Sequence, residues 1–292
     1  MATVTSAAAK IGGWFYEAVP LGRVAAFRTL CYLFVVADLT VFTNWVRSHA
    51  SVPGALYQPL AIGRILPLPT PTPLLVNSIF VALIVLALLA ATGRAPRLLG
   101  WPIFLLYLEW MIIAMSYGKV DHDRVGFLVA LAVLPTVGRA RHGDATRSEA
   151  GGWALRCTQI AVIATYFLAS WAKLRFGGIA WLSGATLTRS VLRRGTWAAR
   201  LLLDVPGLLV AAQWGIVFFE LASPLIFFLK ERWRVWAIGG FYLFHVVVFS
   251  TITISFLPHL VAMAAFLPLE KVRPVTWVRG LRKSPEAVET AA

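Results

Sequence analysis

The chain has 292 residues, of which 59% are hydrophobic and 14% charged, against ~45–50% and ~25% in soluble domains. With a mean hydropathy of +0.75, it has too little polar sequence for a substantial soluble domain, and a conventional cytoplasmic enzyme is excluded. The net charge of +14 is spread over short segments between apolar runs, which points to membrane topology and anionic lipid headgroups rather than to nucleic acid.

In chain order, residues 1–20 read as an N-terminal cytoplasmic segment without a cleavable signal peptide. Spacing and length then predict an all-α, polytopic transmembrane helix bundle. Its eight spans fall at about 25–46, 73–92, 98–117, 122–138, 153–173, 207–229, 234–253 and 255–269, within a transmembrane domain covering 21–270. The last run is short and has Pro258 near its start, so seven spans plus a re-entrant segment is the alternative. Residues 271–292 form a polar cytoplasmic tail. Eight spans with the N-terminus inside place fifteen Lys and Arg residues in inner segments and ten in outer ones, which favours two cytoplasmic termini in the cell membrane.

Two connections exceed simple turns. Residues 47–72 contain the run PLPTP, which favours extended backbone, and 182–203 mixes Leu and Val with Arg at helical spacing, predicting an interfacial amphipathic helix. The cysteines, Cys31 and Cys157, lie in apolar runs and form no CxxC motif. No phosphate-binding glycine loop, zinc-protease motif or nucleophile elbow is present. Function must therefore be read from ionisable groups inside apolar sequence, which are costly in hydrocarbon and face the bundle interior or water. These are Arg28, Asp38, Glu109, His122, Lys173, Glu220 and His245.

Lys173 ends the fifth span among Tyr166, Phe167, Trp171 and Trp181. Held in a dry pocket it could serve as a base; at the surface it would snorkel to headgroups. His122, in KVDHDRVGF, begins the fourth span on the same side, so the two could share one site, while a solvated turn with Asp121 near the helix N-cap is the competing reading. A metal site from Asp121, His122 and Asp123 is disfavoured because adjacent residues diverge on a helix, and no metal is predicted. Glu220 and His245 lie deep in apolar runs and could form a proton route or a structural bridge between helices.

The string YFLASWAKL followed by WLSGATL resembles the lysine-bearing element of the vitamin K-dependent gamma-carboxylase-like proteins, also called the horizontally transferred transmembrane domain (HTTM) family. FRTLCYLFVVAD resembles the family's first span and matches Arg28 and Asp38; VDHDRVGFLVAL resembles its histidine segment and matches His122. ELASPLIFFL and FYLFHVVVF resemble later elements and match Glu220 and His245. The resemblance covers roughly residues 20–268. It implies an enzyme, a lyase or oxidoreductase, in which Lys173 deprotonates a reduced naphthoquinone, vitamin K or menaquinol, for oxygen-dependent epoxidation that can be coupled to carboxylation. His122 would assist, and Tyr166, Trp171, Trp181, Glu220, His245, Arg28 and Asp38 would line the quinone site.

The chain departs from the family pattern. Ser170 replaces the glycine before the lysine, and the polar residues after the FH element are replaced by apolar ones. The large lumenal domain that follows the helices in animal carboxylases is not matched. The alternatives are an accessory protein for maturation or export of a small peptide, suggested by the basic 182–203 stretch, and a transporter, suggested only by the ionisable residues. Expected partners are membrane lipids, a quinone and a small exported peptide, and no nucleic acid.

Overall fold

A computed structural model describes residues 2–272, so most of the tail 271–292 lies outside the described residues. The structure is mostly helical. Helix α1 (Ala2–Phe15) is followed by α2 (Leu21–Ala37), α3 (Ala61–Ile65), α4 (Pro73–Ala91), α5 (Pro96–Met115) and α6 (Val125–Val133). The second half contains α7 (Glu149–Gly177), α8 (Ala185–Arg194), α9 (Trp197–Arg200), α10 (Pro206–Ala222), α11 (Glu231–Ile252) and α12 (Leu257–Met263). A single antiparallel pairing joins β1 (Val19–Pro20) to β2 (Arg147–Ser148).

Five helical segments are long and apolar enough to cross a bilayer: Leu21–Phe42, Pro73–Ala91, Pro96–Met115, Pro206–Phe228 and Glu231–Ile252. Their outward faces carry Leu74, Val81, Val85, Leu88, Leu243, Val246 and Phe249, all exposed. In hydrocarbon such side chains need no cover, which explains why α4 and α11 are apolar on all sides. Each of the eight predicted spans overlaps helical structure, but those at 122–138, 153–173 and 255–269 are not among the five. The α-helix of the first of these covers only Val125–Val133, and the last has ten helical residues, Leu257–Phe266. At roughly 16 Å it is shorter than a ~30 Å hydrocarbon core.

Contacts sort the helix termini into two ends. At one, the β1–β2 pairing brings the start of α2 beside the start of α7, and Arg23 meets Glu270 at 2.7 Å. At the other, Gln58 N–H donates to the Ser116 carbonyl, and the His122–Arg124 turn packs on α12. After α11 the chain unwinds over Thr253–Phe256, re-enters as α12 and reaches Glu270 at the first end. Non-helical backbone within a membrane is tolerated where it lines a cavity, as this stretch does.

Helix α7 is the hub, packing on α6, α10 and α12. Its start is well specified: Ser148 Oγ accepts from Gly151 N–H at 3.1 Å, and Glu149 sits in the first turn. Gly178, at φ 61°, ends it. Gly152 is required for the approach of the α1–α2 connection, because a Cβ there would lie 1.9 Å from the Glu17 carbonyl oxygen. The N-terminal segment is thereby docked: Glu17 pairs with Arg156 at 3.0 Å, whose guanidinium lies 4.2 Å from the Trp14 ring centroid.

The predicted helix over 182–203 is broken in two. Gly195 adopts extended backbone (φ −63°, ψ 137°), and Thr196 restarts the chain as cap of α9, its Oγ accepting from Ala199 N–H.

Asp38 marks a π-turn, Asp38–Phe42, at the end of α2. Its fully buried Oδ2 accepts from Arg124 at 2.8 Å, Tyr107 at 2.9 Å and Thr43 at 3.2 Å, and Thr43 in turn accepts from the Trp110 indole at 3.0 Å. This network ties α2 and α5 to the turn carrying His122. Asp38→Ala strands the Arg124 cation and should cost about 3–5 kcal/mol, whereas the double substitution Asp38→Leu with Arg124→Met should recover most of that loss. Unfolding in detergent checks both.

Candidate functional site

Four alanines, Ala161, Ala164, Ala169 and Ala172, leave one side of α7 short of side-chain volume, and beside them lies a cavity of about 700 Å³. The other walls come from α10, α11, α8, the Thr253–Phe256 stretch and the His122 turn. Its volume falls within the ~300–1,000 Å³ usual for ligand pockets, and its lining is mainly apolar with a few convergent polar groups. Val125 and Leu168 on its rim are 47% and 57% exposed, so it communicates with the surface.

Tyr166, Ser170 and Lys173 follow one another at i, i+4 and i+7, the spacing that aligns side chains on a helix face. Lys173 Nζ contacts Glu220 Oε1 at 2.6 Å and Oε2 at 2.5 Å, and Ser170 Oγ donates to Oε2 at 2.5 Å. The Glu220 side chain is 9% exposed and that of Lys173 is 24% exposed. Trp181 adds a ring face 5.2 Å from the ammonium. Lys173 therefore does not snorkel free: it is fixed to a carboxylate on the cavity wall.

Two turns earlier on α7, the Tyr166 hydroxyl lies 2.6 Å from His245 Nε2. The ring of His259 stands 4.6 Å from that of Tyr166 and 5.7 Å from that of His245. His259 is 2% exposed with neither ring nitrogen partnered, and His245 Nδ1 is likewise unpartnered. Buried imidazole nitrogens without partners cost free energy unless water or a ligand satisfies them, and both rings border the cavity. The opening also carries His122, which is exposed.

Of the residues singled out from sequence, the fold brings together Lys173, His122, Tyr166, Trp181, Glu220 and His245 on this one cavity. Trp171, 56% exposed, turns outward from α7 and is not on its wall. Asp38 lies in its own network and acts on the cavity only through Arg124, which anchors the His122 turn. Arg28 borders a different cavity. Asp121 pairs with Lys119 at 2.8 Å and makes no side-chain cap. Among the described residues, no group of three or more His, Cys, Asp or Glu is placed to hold a metal ion.

Two wall residues escaped the sequence reading. His259 lies in LPHLVAMAAF, an apolar run with the same signal as His245, where the short length and Pro258 dominate the sequence reading. Gln213, fully buried, uses Oε1 to accept from Leu187 N–H at 3.1 Å, docking α10 to α8. An uncharged amide is not found by a search for ionisable groups.

No family model, curated protein or solved structure matches the chain.

Tyr166→Phe removes the only hydrogen-bond partner of the His245 ring among the described residues. The loss should be about 1–3 kcal/mol, measured by thermal unfolding in detergent.

Proposed function

We propose that the protein is an integral membrane enzyme that binds a reduced naphthoquinone in the α7–α11 cavity and deprotonates it with Lys173 acting together with Glu220. One observation carries this reading. Two polar patches, Lys173–Glu220 and Tyr166–His245–His259, lie about 10 Å apart along α7 in a mainly apolar cavity whose mouth also carries His122 and Asp123. A ring with para oxygens and a hydrogen bond of about 2.8 Å at each end bridges such a span.

The chain's own groups divide the work. Lys173 Nζ donates to Glu220, so the amine becomes a base by passing a proton to that carboxylate. It then takes a hydroxyl proton from the ligand, and the pair gains one proton overall. His245, His259 or Tyr166 hydrogen-bonds the distal oxygen. His122 at the opening orients the proximal end, and the apolar walls exclude water that would quench an anion. When bound, the quinol supplies two electrons for dioxygen, the chemistry that the family resemblance implies.

The same reading takes the eight helical segments as eight crossings of the cell membrane with both termini cytoplasmic. The cavity then faces outward, with α8 and α9 lying in the interface. Helix α8 supports this placement: Arg189, Arg193 and Arg194 are exposed, while Val191 is buried against the bundle.

Purified protein in proteoliposomes, supplied with menadiol and air, should oxidise the quinol faster than protein-free vesicles. Lys173→Ala should lower the protein-dependent rate by about 10²-fold or more. Ala164→Phe, which fills the cavity, should abolish menadiol quenching of tryptophan fluorescence while costing no more than about 1–3 kcal/mol of stability. Undiminished turnover in Lys173→Ala removes the assignment.

A further inference from the structure

At the opposite end of the bundle from Lys173 lies a second cavity, of about 580 Å³, between the start of α2, the α4–α5 turn and the segment after α6. Its chemistry differs from the first. The wall carries Arg28, Arg94, Arg139, Arg141 and His142, and none of its residues is acidic. Among the described residues, none of these four arginines takes part in an ion pair.

Arg28 is the decisive residue. It is 1% exposed, and its Nη2 donates to the Leu134 carbonyl at 3.0 Å, while Nε and Nη1 have no partner. Those two nitrogens carry three N–H donors. A buried guanidinium left in this state costs several kcal/mol, and an anion with several acceptor oxygens would remove the penalty. Charge points the same way. Four arginines share a wall that holds no acidic residue, and only Arg141 has a carboxylate near it, that of Asp144. Like charges so placed repel one another until an anion enters.

The backbone at this wall is also unusual. Ala95 is left-handed at φ 42°, a conformation disfavoured for a residue with a Cβ, and it forms the N-cap of the twenty-residue helix α5. The positive end of that helix dipole therefore borders the cavity.

We infer that this cavity is a binding site for a phosphate oxyanion, seated on Arg28 and gated by Arg94, Arg139 and Arg141. Planar guanidinium groups match phosphate oxygens in bidentate geometry. The phosphate belongs either to an anionic phospholipid headgroup or to a soluble phosphate compound. The inference is independent of the quinol reading, because it uses a different cavity and different residues.

The test uses the full chain, delipidated in maltoside micelles, which contain no phosphate. Dioleoyl phosphatidic acid and inorganic phosphate are titrated separately, with native mass spectrometry and thermal unfolding as readouts. A one-to-one phosphatidic acid adduct with a raised unfolding midpoint, and no response to inorganic phosphate, identifies the lipid source. Saturable stabilisation by inorganic phosphate at submillimolar concentration identifies a soluble one. In either case Arg139→Ala with Arg141→Ala should weaken binding at least tenfold, and Lys230→Ala should leave it unchanged.

Arg28→Met provides a second readout. With no ligand present it should unfold at the same or a higher temperature than the parent, because an unpaired buried cation is gone, and it should lose the ligand-induced shift. No response of the parent chain to either probe overturns the inference. So does an affinity that stays the same in both the Arg139→Ala/Arg141→Ala and the Arg28→Met variants.

Discussion

A charge inside an apolar bundle must find an opposite charge or a dense set of hydrogen bonds, because hydrocarbon offers nothing to solvate it. Two ion pairs obey this constraint and shape the molecule around it. Asp38–Arg124 fastens the end of α2 to the turn that carries His122; Tyr107 and Thr43 also donate to Asp38 Oδ2, Trp110 donates to Thr43, and Oδ1 has no partner. Lys173–Glu220 fastens the last turns of α7 to the last turn of α10. The first pair is fully enclosed and structural. The second stands on the wall of a cavity with a quarter of the lysine side chain exposed, so the same electrostatic device also leaves an ionisable pair facing open space.

The void beside that second pair has its own cause in the sequence. A bundle without water closes by van der Waals packing, and small residues let helices approach until backbones touch. At Gly126 this happens: a Cβ there would sit 2.7 Å from a Val162 methyl. Further along α7 the alanines face α8, α10 and α11 instead of α6. Helix α10 still packs on α7, but α8, α11 and the non-helical Thr253–Phe256 stretch meet the alanines only across the cavity. Small side chains opposite a partner that does not close in leave space.

Much of this was legible from residue types alone. Apolar run length located the helices, because only intrahelical hydrogen bonds satisfy a backbone in lipid. Ionisable residues in those runs led to Lys173, Glu220 and His245, and alternation of the helices put His122 at the same end as Lys173. The failures share a cause. Arg28 and Asp38 were grouped with the lysine because they match one family segment, yet ten residues of helix separate them by about 15 Å along the axis, so they serve opposite ends. Arg124 gives no sign of its role in sequence, since nothing in KVDHDRVGF shows that its side chain turns inward to Asp38. The break at Gly195 was equally hidden, because the Leu, Val and Arg spacing continues across it.

The two cavities show one constraint resolved in two ways. On the Lys173 side the cation has its carboxylate within the chain, and the wall carries a further acidic residue, Asp123, so no external anion is called for there. On the Arg28 side the wall holds no carboxylate, and only Arg141 has one nearby, that of Asp144, so the pocket is left with an excess of positive charge. Covalent structure alone keeps the arginines there, because the folding free energy of so many apolar helices can carry a local penalty of several kcal/mol. A residue that costs that much stability and makes one internal hydrogen bond is explained by a ligand more readily than by packing. An all-apolar replacement of similar volume would hold α2 against Leu134 at least as well.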